Sequence, residues 1–284
     1  MDTVRMIQWF RREPTLFPYF YQARESISEI LPPVFALCLF GDSVLFLNSP
    51  EMLEEVYVNK NLWYTKHDFE RHFVKMMVDS PITHVDTHDP SYAPRRKSLS
   101  QAFFKQKLVQ MTKIIKKATL EYIKQNQAPV VGESKTMDLC NFTLEMQSNV
   151  SISVLVGSGP SKSLIPYENP TTGEIKPVLV SKMLNHIIED LTHRAEYPIN
   201  AFFPWMMAYR TTPFDFKFYR NILTLKSFLR GLIKERCEGA KKAAEFQEAG
   251  DMISILLEAD YYKDDHEALI DEVIIMFMAG MKTI

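Results

Sequence analysis

The helical spacing of apolar residues constrains this chain more than any other feature of its sequence. Between residues 105 and 126, apolar side chains recur every three to four positions, and lysines fill the remaining face. The apolar stripe consists of Leu108, Met111, Ile115, Ala118 and Tyr122. This spacing predicts an amphipathic helix with one buried face. A similar pattern returns at 139–154, and residues 181–195 and 214–240 also favour helices, so we expect a mainly helical fold.

Composition narrows the classes of function. Hydrophobic residues make up 46% of the 284 residues, which is enough for a substantial core. The nine glycines disfavour a glycine-rich phosphate loop and an all-β fold with many tight turns. A formal net charge of -2 gives no electrostatic reason to expect nucleic acid as a partner.

The compartment is also constrained by the sequence. No apolar run reaches the roughly 18 residues of a membrane span, and residues 1–13 do not resemble a signal peptide. Three cysteines lie far apart with no Cys-x-x-Cys pair, which favours a reducing, intracellular compartment over a disulfide framework.

Local signals place several elements. Two apolar runs separated by Gly41-Asp42 predict a β-hairpin at about 34–47. Ser49-Pro50 then predicts the start of a short helix that ends near Lys60. Residues 158–178 suggest a loop or a poorly ordered insertion. The last helix is expected to begin at Asp264, with Glu267 completing a capping box.

Histidine spacing raises the question of a metal site. His84 and His88 are four residues apart, as metal ligands on a helix often are. However, Pro81 and Asp89-Pro90 predict a loop here, and no third ligand lies nearby. We therefore expect exposed loop histidines and no metal ligands in this chain.

Two short segments could bind a ligand. Arg95, Arg96 and Lys97 open a helix, where their charges oppose the helix macrodipole, so they indicate either an external anion or a plain surface patch. Ala279-Gly280 lies in a bulky apolar helix, where it would leave room for a flat ligand or for close helix packing.

A third segment, Phe202–Met207, is rich in aromatic residues and methionine. It could contact a membrane surface or an apolar ligand, or it could pack onto the core.

The order of these features resembles the cytochrome P-450 superfamily, the haem-thiolate monooxygenases. The segment Asp89-Pro-Ser-Tyr92-x-x-x-Arg96, followed by Ala102-Phe103, is similar to helix C of that family. The segment Ala279-Gly280-Met-Lys282-Thr283 is similar to the groove in its helix I. The resemblance spans nearly the whole chain.

The resemblance implies a mainly α fold with a small β-sheet region. It implies one domain over 1–284, incomplete at its C-terminal side, with a hairpin at 34–47, helix C at 93–104 and helix I at 265–284. The expected cofactor is haem, an iron protoporphyrin, with Arg96 and Tyr92 binding its propionates. Ala279, Gly280 and Thr283 would be the catalytic residues on the oxygen side. The expected reaction is oxidation of an apolar small molecule by O₂ and electrons from an NADPH-dependent reductase.

Several departures from the family pattern qualify these expectations. The family's axial Cys loop would follow Ile284, and none of Cys38, Cys140 and Cys237 lies in such a loop, so haem should not be retained securely. Lys282 stands where the family has an acid. The usual anchor helix is missing, although a full-length enzyme would lie at the endoplasmic reticulum membrane surface. The alternatives are a non-catalytic helical module that binds lipid or a membrane surface, and an inactive truncated product.

Overall fold

A computed structural model describes most of the chain. The described residues are 33–39, 42–60, 63–64, 72, 74–126, 138–157, 159–195, 197, 200, 203–239 and 250–282. The chain divides after residue 65 into two compact units, and each is described by itself.

The first unit contains the predicted hairpin. Strands β1 (Val34–Leu39) and β2 (Asp42–Leu47) pair antiparallel, and Phe35 stacks on Phe46 with ring centroids 4.8 Å apart. The predicted turn residue Gly41 lies outside the described residues. Helix α1 (Pro50–Glu54) follows and continues as a π-helical turn over Glu55–Asn59. Ser49 Oγ accepts the Met52 N–H at 3.3 Å, so the predicted helix start is confirmed.

The second unit is mainly helical, as the apolar spacing predicts. Its helices are α2 (Tyr92–Ala102), α3 (Lys105–Asn126), α4 (Leu139–Val156), α5 (Val180–Ala195), α6 (Pro213–Gly239), α7 (Met252–Leu257) and α8 (His266–Lys282). Short 3₁₀ turns lie at Pro160–Lys162 and Pro204–Ala208. Among the described helices, none is long and apolar enough to span a membrane.

The core of this unit forms where α4 packs against α3, α5 and α8. Helices α5 and α6 supply much of the apolar interior, in residues spaced by three or four positions. These residues are Met183, Ile187 and Leu191 on α5, and Phe218, Ile222 and Leu225 on α6. Helix α8 adds Leu269, Ile270, Val273, Ile274 and Phe277, all buried. The fold therefore fixes α8 firmly beside α4.

The prediction of a loop over 158–178 is wrong. Strands β3 (Leu164–Glu168) and β4 (Ile175–Leu179) form a second antiparallel hairpin, in which Pro166 lies opposite Pro177. A proline cannot donate to a sheet ladder, but in a two-stranded sheet each strand has an outer edge where no donor is needed. The side chains of Ile165 and Tyr167 are buried in the core.

The predicted start of the last helix is wrong by one residue. Asp265 accepts the Ala268 N–H at 2.9 Å and caps α8, whereas the sequence predicts Asp264 at this position. Glu267 does not close a capping box; its carboxylate instead accepts two bonds from Arg230, at 2.5 and 2.8 Å. The ion pair with α6 takes the side chain away from the helix start.

Candidate functional site

Helix α2 carries the two residues expected to bind a cofactor. The helix begins at Tyr92. In the turn before it, the Asp89 carboxylate accepts the Ser91 N–H at 2.8 Å. Its buried face is formed by Arg95, Ser98, Leu99 and Ala102. Because successive helical residues are rotated by about 100°, Arg96 lies off this face and is exposed.

Tyr92 and Arg96 are brought together by the helix. The Arg96 Nη1 donates to Tyr92 Oη at 3.0 Å, as the spacing of four residues allows. Among the described residues, Arg96 has no carboxylate partner, so most of its N–H donors face solvent. This arrangement can receive an external carboxylate or another anion.

Arg95 has a different environment from its neighbour. It is 3% exposed, its Nη1 donates to the Ser80 carbonyl at 2.6 Å, and its guanidinium lies 5.1 Å from the centre of the Tyr261 ring. Arg95 is therefore a buried packing residue, and the three cations of this segment do not act as one surface patch.

The expected catalytic residues lie at the end of α8. Ala279 is exposed, whereas Gly280 faces α4: its carbonyl accepts a bond from Gln147 Nε2 at 3.0 Å. A Cβ added to Gly280 would lie 3.6 Å from Ser151 Oγ, an ordinary contact distance. Thr283 lies outside the described residues. The structure thus places Ala279 and Gly280 on different sides of the helix.

Neither Cys140 nor Cys237 lies in a loop of the kind that holds the axial haem cysteine in the family. Cys140 is exposed near the start of α4, and Cys237 is half-buried near the end of α6, with its Sγ 3.9 Å from His266 Nε2. No cluster of three residues suited to a metal ion occurs in the described part of the chain. The expectation of exposed loop histidines holds for His88, which bonds to Asp86, but His84 is buried.

The aromatic segment after α5 is partly exposed. Phe203, Trp205 and Tyr209 are each about half exposed, and their rings meet edge to face. Met207 is buried, and Phe202 lies outside the described residues. Met207 thus packs on the core, as the second interpretation expects. Contact of the exposed rings with a membrane surface or an apolar ligand stays a prediction.

Sequence reasoning missed the buried charges of the second unit. Asp271 and Glu272 on α8 are 4% and 1% exposed, and Arg194 on α5 is 1% exposed beside Asp215. The sequence does offer one signal for this site: Asp271 and Glu272 are adjacent acids within an apolar stretch of α8. Acids are rarely buried unless they have partners, so this pair predicts buried hydrogen bonds or ion pairs.

The sequence matches a model of a known protein family over nearly its whole length. The family model for cytochrome P450 matches residues 6–284. A comparison with curated proteins gives no significant match. Since the family match covers nearly the whole chain, and the fold is mainly helical with small antiparallel sheets, the chain belongs to the cytochrome P450 family.

Proposed function

We propose that this chain supplies the propionate-binding side of a haem-dependent monooxygenase that oxidises an apolar small molecule with electrons from a reductase. The observation that carries the proposal is the exposed Arg96 guanidinium, which is held by Tyr92 and has no carboxylate partner in the described residues. Membership of the family supports the haem and the monooxygenase reaction.

The residues on α2 fit the acidic edge of a haem. A guanidinium can bind a carboxylate with two parallel hydrogen bonds, and this charge-assisted geometry suits a propionate. Tyr92 accepts a bond from Arg96, and a phenol can at the same time donate its own hydrogen to the same propionate. When bound, the haem would supply the activation of O₂. The protein residues would hold and orient it.

We propose that the end of α8 lies on the side of the haem where O₂ would bind. Ala279 and Thr283 are four residues apart in the sequence, and we propose both for the oxygen side, although Thr283 lies outside the described residues. Gly280 would lie beside this groove, with its carbonyl bonded to Gln147 of α4. Lys282 would place a cation where the family has an acid, so a proton relay through this position would differ from the family pattern.

Secure binding of haem requires an axial thiolate. Neither Cys140 nor Cys237 lies in a loop, since both belong to helices. We therefore propose that residues 1–284 bind haem weakly and without thiolate ligation, and that they are inactive by themselves.

The exposed aromatic segment is proposed to touch a membrane surface. Phe203, Trp205 and Tyr209 form an exposed apolar group, and aromatic rings are favoured at the interface of a membrane. The same observation favours the second candidate function, a non-catalytic module that binds lipid. Haem binding through Arg96 would not be expected of such a module.

Titration of haemin into the purified chain tests the proposal. Replacing Arg96 by Ala should weaken haemin binding by about tenfold, because a hydrogen bond to a charged group is worth roughly 1.5 to 3 kcal/mol. Lys97→Ala, which removes the neighbouring exposed cation, is the matched control and should leave the affinity unchanged. Equal affinities for the wild type and Arg96→Ala would overturn the assignment. A thiolate-type spectrum of the reduced, CO-bound chain would show that the ligation is misjudged.

A further inference from the structure

Two adjacent acids of α8 hold the chain segment that leads to α2. Asp271 Oδ2 accepts the N–H groups of Asp79 and Ser80 at 2.8 and 3.1 Å. Glu272 Oε1 accepts the N–H of Ile82 at 2.7 Å. These three bonds connect residues about 190 positions apart in sequence. We call Asp271 and Glu272, with the backbone of residues 79–82, the carboxylate latch.

Other charged and titratable groups face the latch from the elements packed around it. Arg95 of α2 donates to the Ser80 carbonyl, and Lys226 of α6 donates to Asp271 Oδ1 at 2.9 Å. Tyr262, which precedes α8, donates to Glu272 Oε1 at 3.2 Å. Tyr261 lies beneath Arg95, and the buried His84 follows the latch segment. The latch thus joins α2, α6 and α8.

The two acids differ in how their charge is balanced. Asp271 has an ion pair with Lys226, in which both side chains are less than a tenth exposed. Glu272 has no cation within 4 Å among the described residues, although the charge of Arg95 is near. Burial raises the pKa of Glu272 to about 7, and Asp271 also raises it, while the Ile82 N–H, Arg95 and Tyr262 oppose this rise. Glu272 therefore changes charge near neutral pH.

We propose that Glu272 is a proton-controlled switch, which holds residues 79–82 on α8 when it is protonated and loosens them when it ionises. A neutral carboxyl group can still accept the Ile82 N–H through its carbonyl oxygen, and it avoids the cost of a buried charge. Opening the latch would expose Glu272 to water and return its pKa toward the ordinary value of 4.5. Proton binding therefore favours the closed latch.

The pKa of Glu272 is higher in the closed latch than in the open one, and this difference sets the sign of the pH dependence. The closed latch is favoured fully below pH 4.5, and this preference is lost as the pH rises from 4.5 to about 7 and the group ionises. Opening also frees Ser80 from Arg95, which is next to Arg96. The state of the latch should therefore affect the position of α2 whether or not haem binds.

Amide hydrogen exchange of residues 79–82 tests the switch in the whole chain. After correction for the intrinsic dependence of exchange on pH, the opening constant of the Ile82 amide should rise about tenfold between pH 6 and pH 8. Glu272→Gln keeps an acceptor for Ile82 and removes the titration, so its opening constant should be flat. Asp190→Asn is the matched control: burial raises the pKa of Asp190 to about 6, but that acid lies on α5, so the tenfold rise should persist.

Two results would overturn the proposal. One is a flat opening constant in the wild type, and the other is the same tenfold rise in Glu272→Gln. If that variant does not fold, the carboxyl carbon shift of Glu272 in the wild type decides the question by NMR. A midpoint near pH 7 supports the switch, and one near 4.5 overturns it.

Discussion

Arg194 shows how a single residue can join three parts of this fold. Its Nε donates to Asp215 Oδ1 at 2.6 Å, and its Nη2 donates to the carbonyls of Met207 and Tyr209. Burial alone would raise the pKa of Asp215, but Arg194 and the N–H groups of Thr211 and Thr212 lower it below its ordinary value. The carboxylate is therefore ionised and depends on Arg194 for its charge balance.

Replacing Arg194 by Met should destabilise the chain by about 3 to 5 kcal/mol, because it leaves the buried carboxylate of Asp215 without a cation. Urea unfolding at neutral pH measures the change in free energy of unfolding. Arg220→Met is the matched control, since Arg220 is mostly exposed in its pair with Glu168 and should cost less than about 1 kcal/mol. Similar losses of unfolding free energy in the two variants would contradict the role of Arg194 in balancing the buried charge of Asp215.

For single residues, the sequence predicts some positions on a helix but does not predict which charged side chains are buried. The spacing of four residues predicts that Tyr92 and Arg96 lie on the same side of one helix, and the hydrogen bond between them agrees with this. The burial of Arg95 could not be predicted, because its partners Ser80 and Tyr261 are brought to it only by the tertiary fold.

Among the elements, the β3–β4 hairpin is the clearest failure of prediction. The segment Asn169-Pro-Thr-Thr-Gly-Glu174 predicts a break, and the structure has a turn there. Pro166 and Pro177 disfavour strands in the sequence pattern, so the strands on either side are not predicted. Helices were more predictable because they rest on local spacing. The expectation of a helix over 181–195 is met by Val180–Ala195, and that over 214–240 by Pro213–Gly239.

The turn of this hairpin depends on Gly173, whose φ of +78° lies in the left-handed region. Gly173→Ala should destabilise the chain by about 1 to 2 kcal/mol, because a Cβ disfavours that conformation. Gly159→Ala is the control, since an added Cβ there meets nothing within 4 Å among the described residues and φ is ordinary. The free energy of unfolding in urea distinguishes them. Equal stabilities for the two variants would contradict the assigned turn.

The aromatic segment makes a prediction about lipid. Trp205→Ala should reduce binding to phosphatidylcholine vesicles by about tenfold, since burial of a large apolar side chain contributes roughly 1.5 to 3 kcal/mol. Co-sedimentation measures the bound fraction. Trp63, which is 81% exposed in the first unit, provides the control, and Trp63→Ala should bind as the wild type does. If both substitutions reduce binding equally, the segment is not a specific contact.

For the whole molecule, the family match and the hydrogen bonds around α2 and α8 both agree with a haem-binding protein of this family. The match covers residues 6–284, across both compact units. Within the second unit, the carboxylate latch connects the segment before α2 to α8, the helices that carry the proposed propionate-binding and oxygen-side residues. These long-range bonds could not be predicted from local sequence patterns, whereas the order of the elements could.

Binding of the haem propionates by Arg96 can be measured with two haem compounds that differ in the charge of those groups. Affinities of the wild type and Arg96→Ala should be measured for haemin and for its dimethyl ester, in which both propionates lack charge. We expect Arg96→Ala to weaken haemin binding by about tenfold and to change binding of the ester little, because only the ionised acid forms a charge-assisted pair. The same loss for both compounds would contradict propionate binding by Arg96.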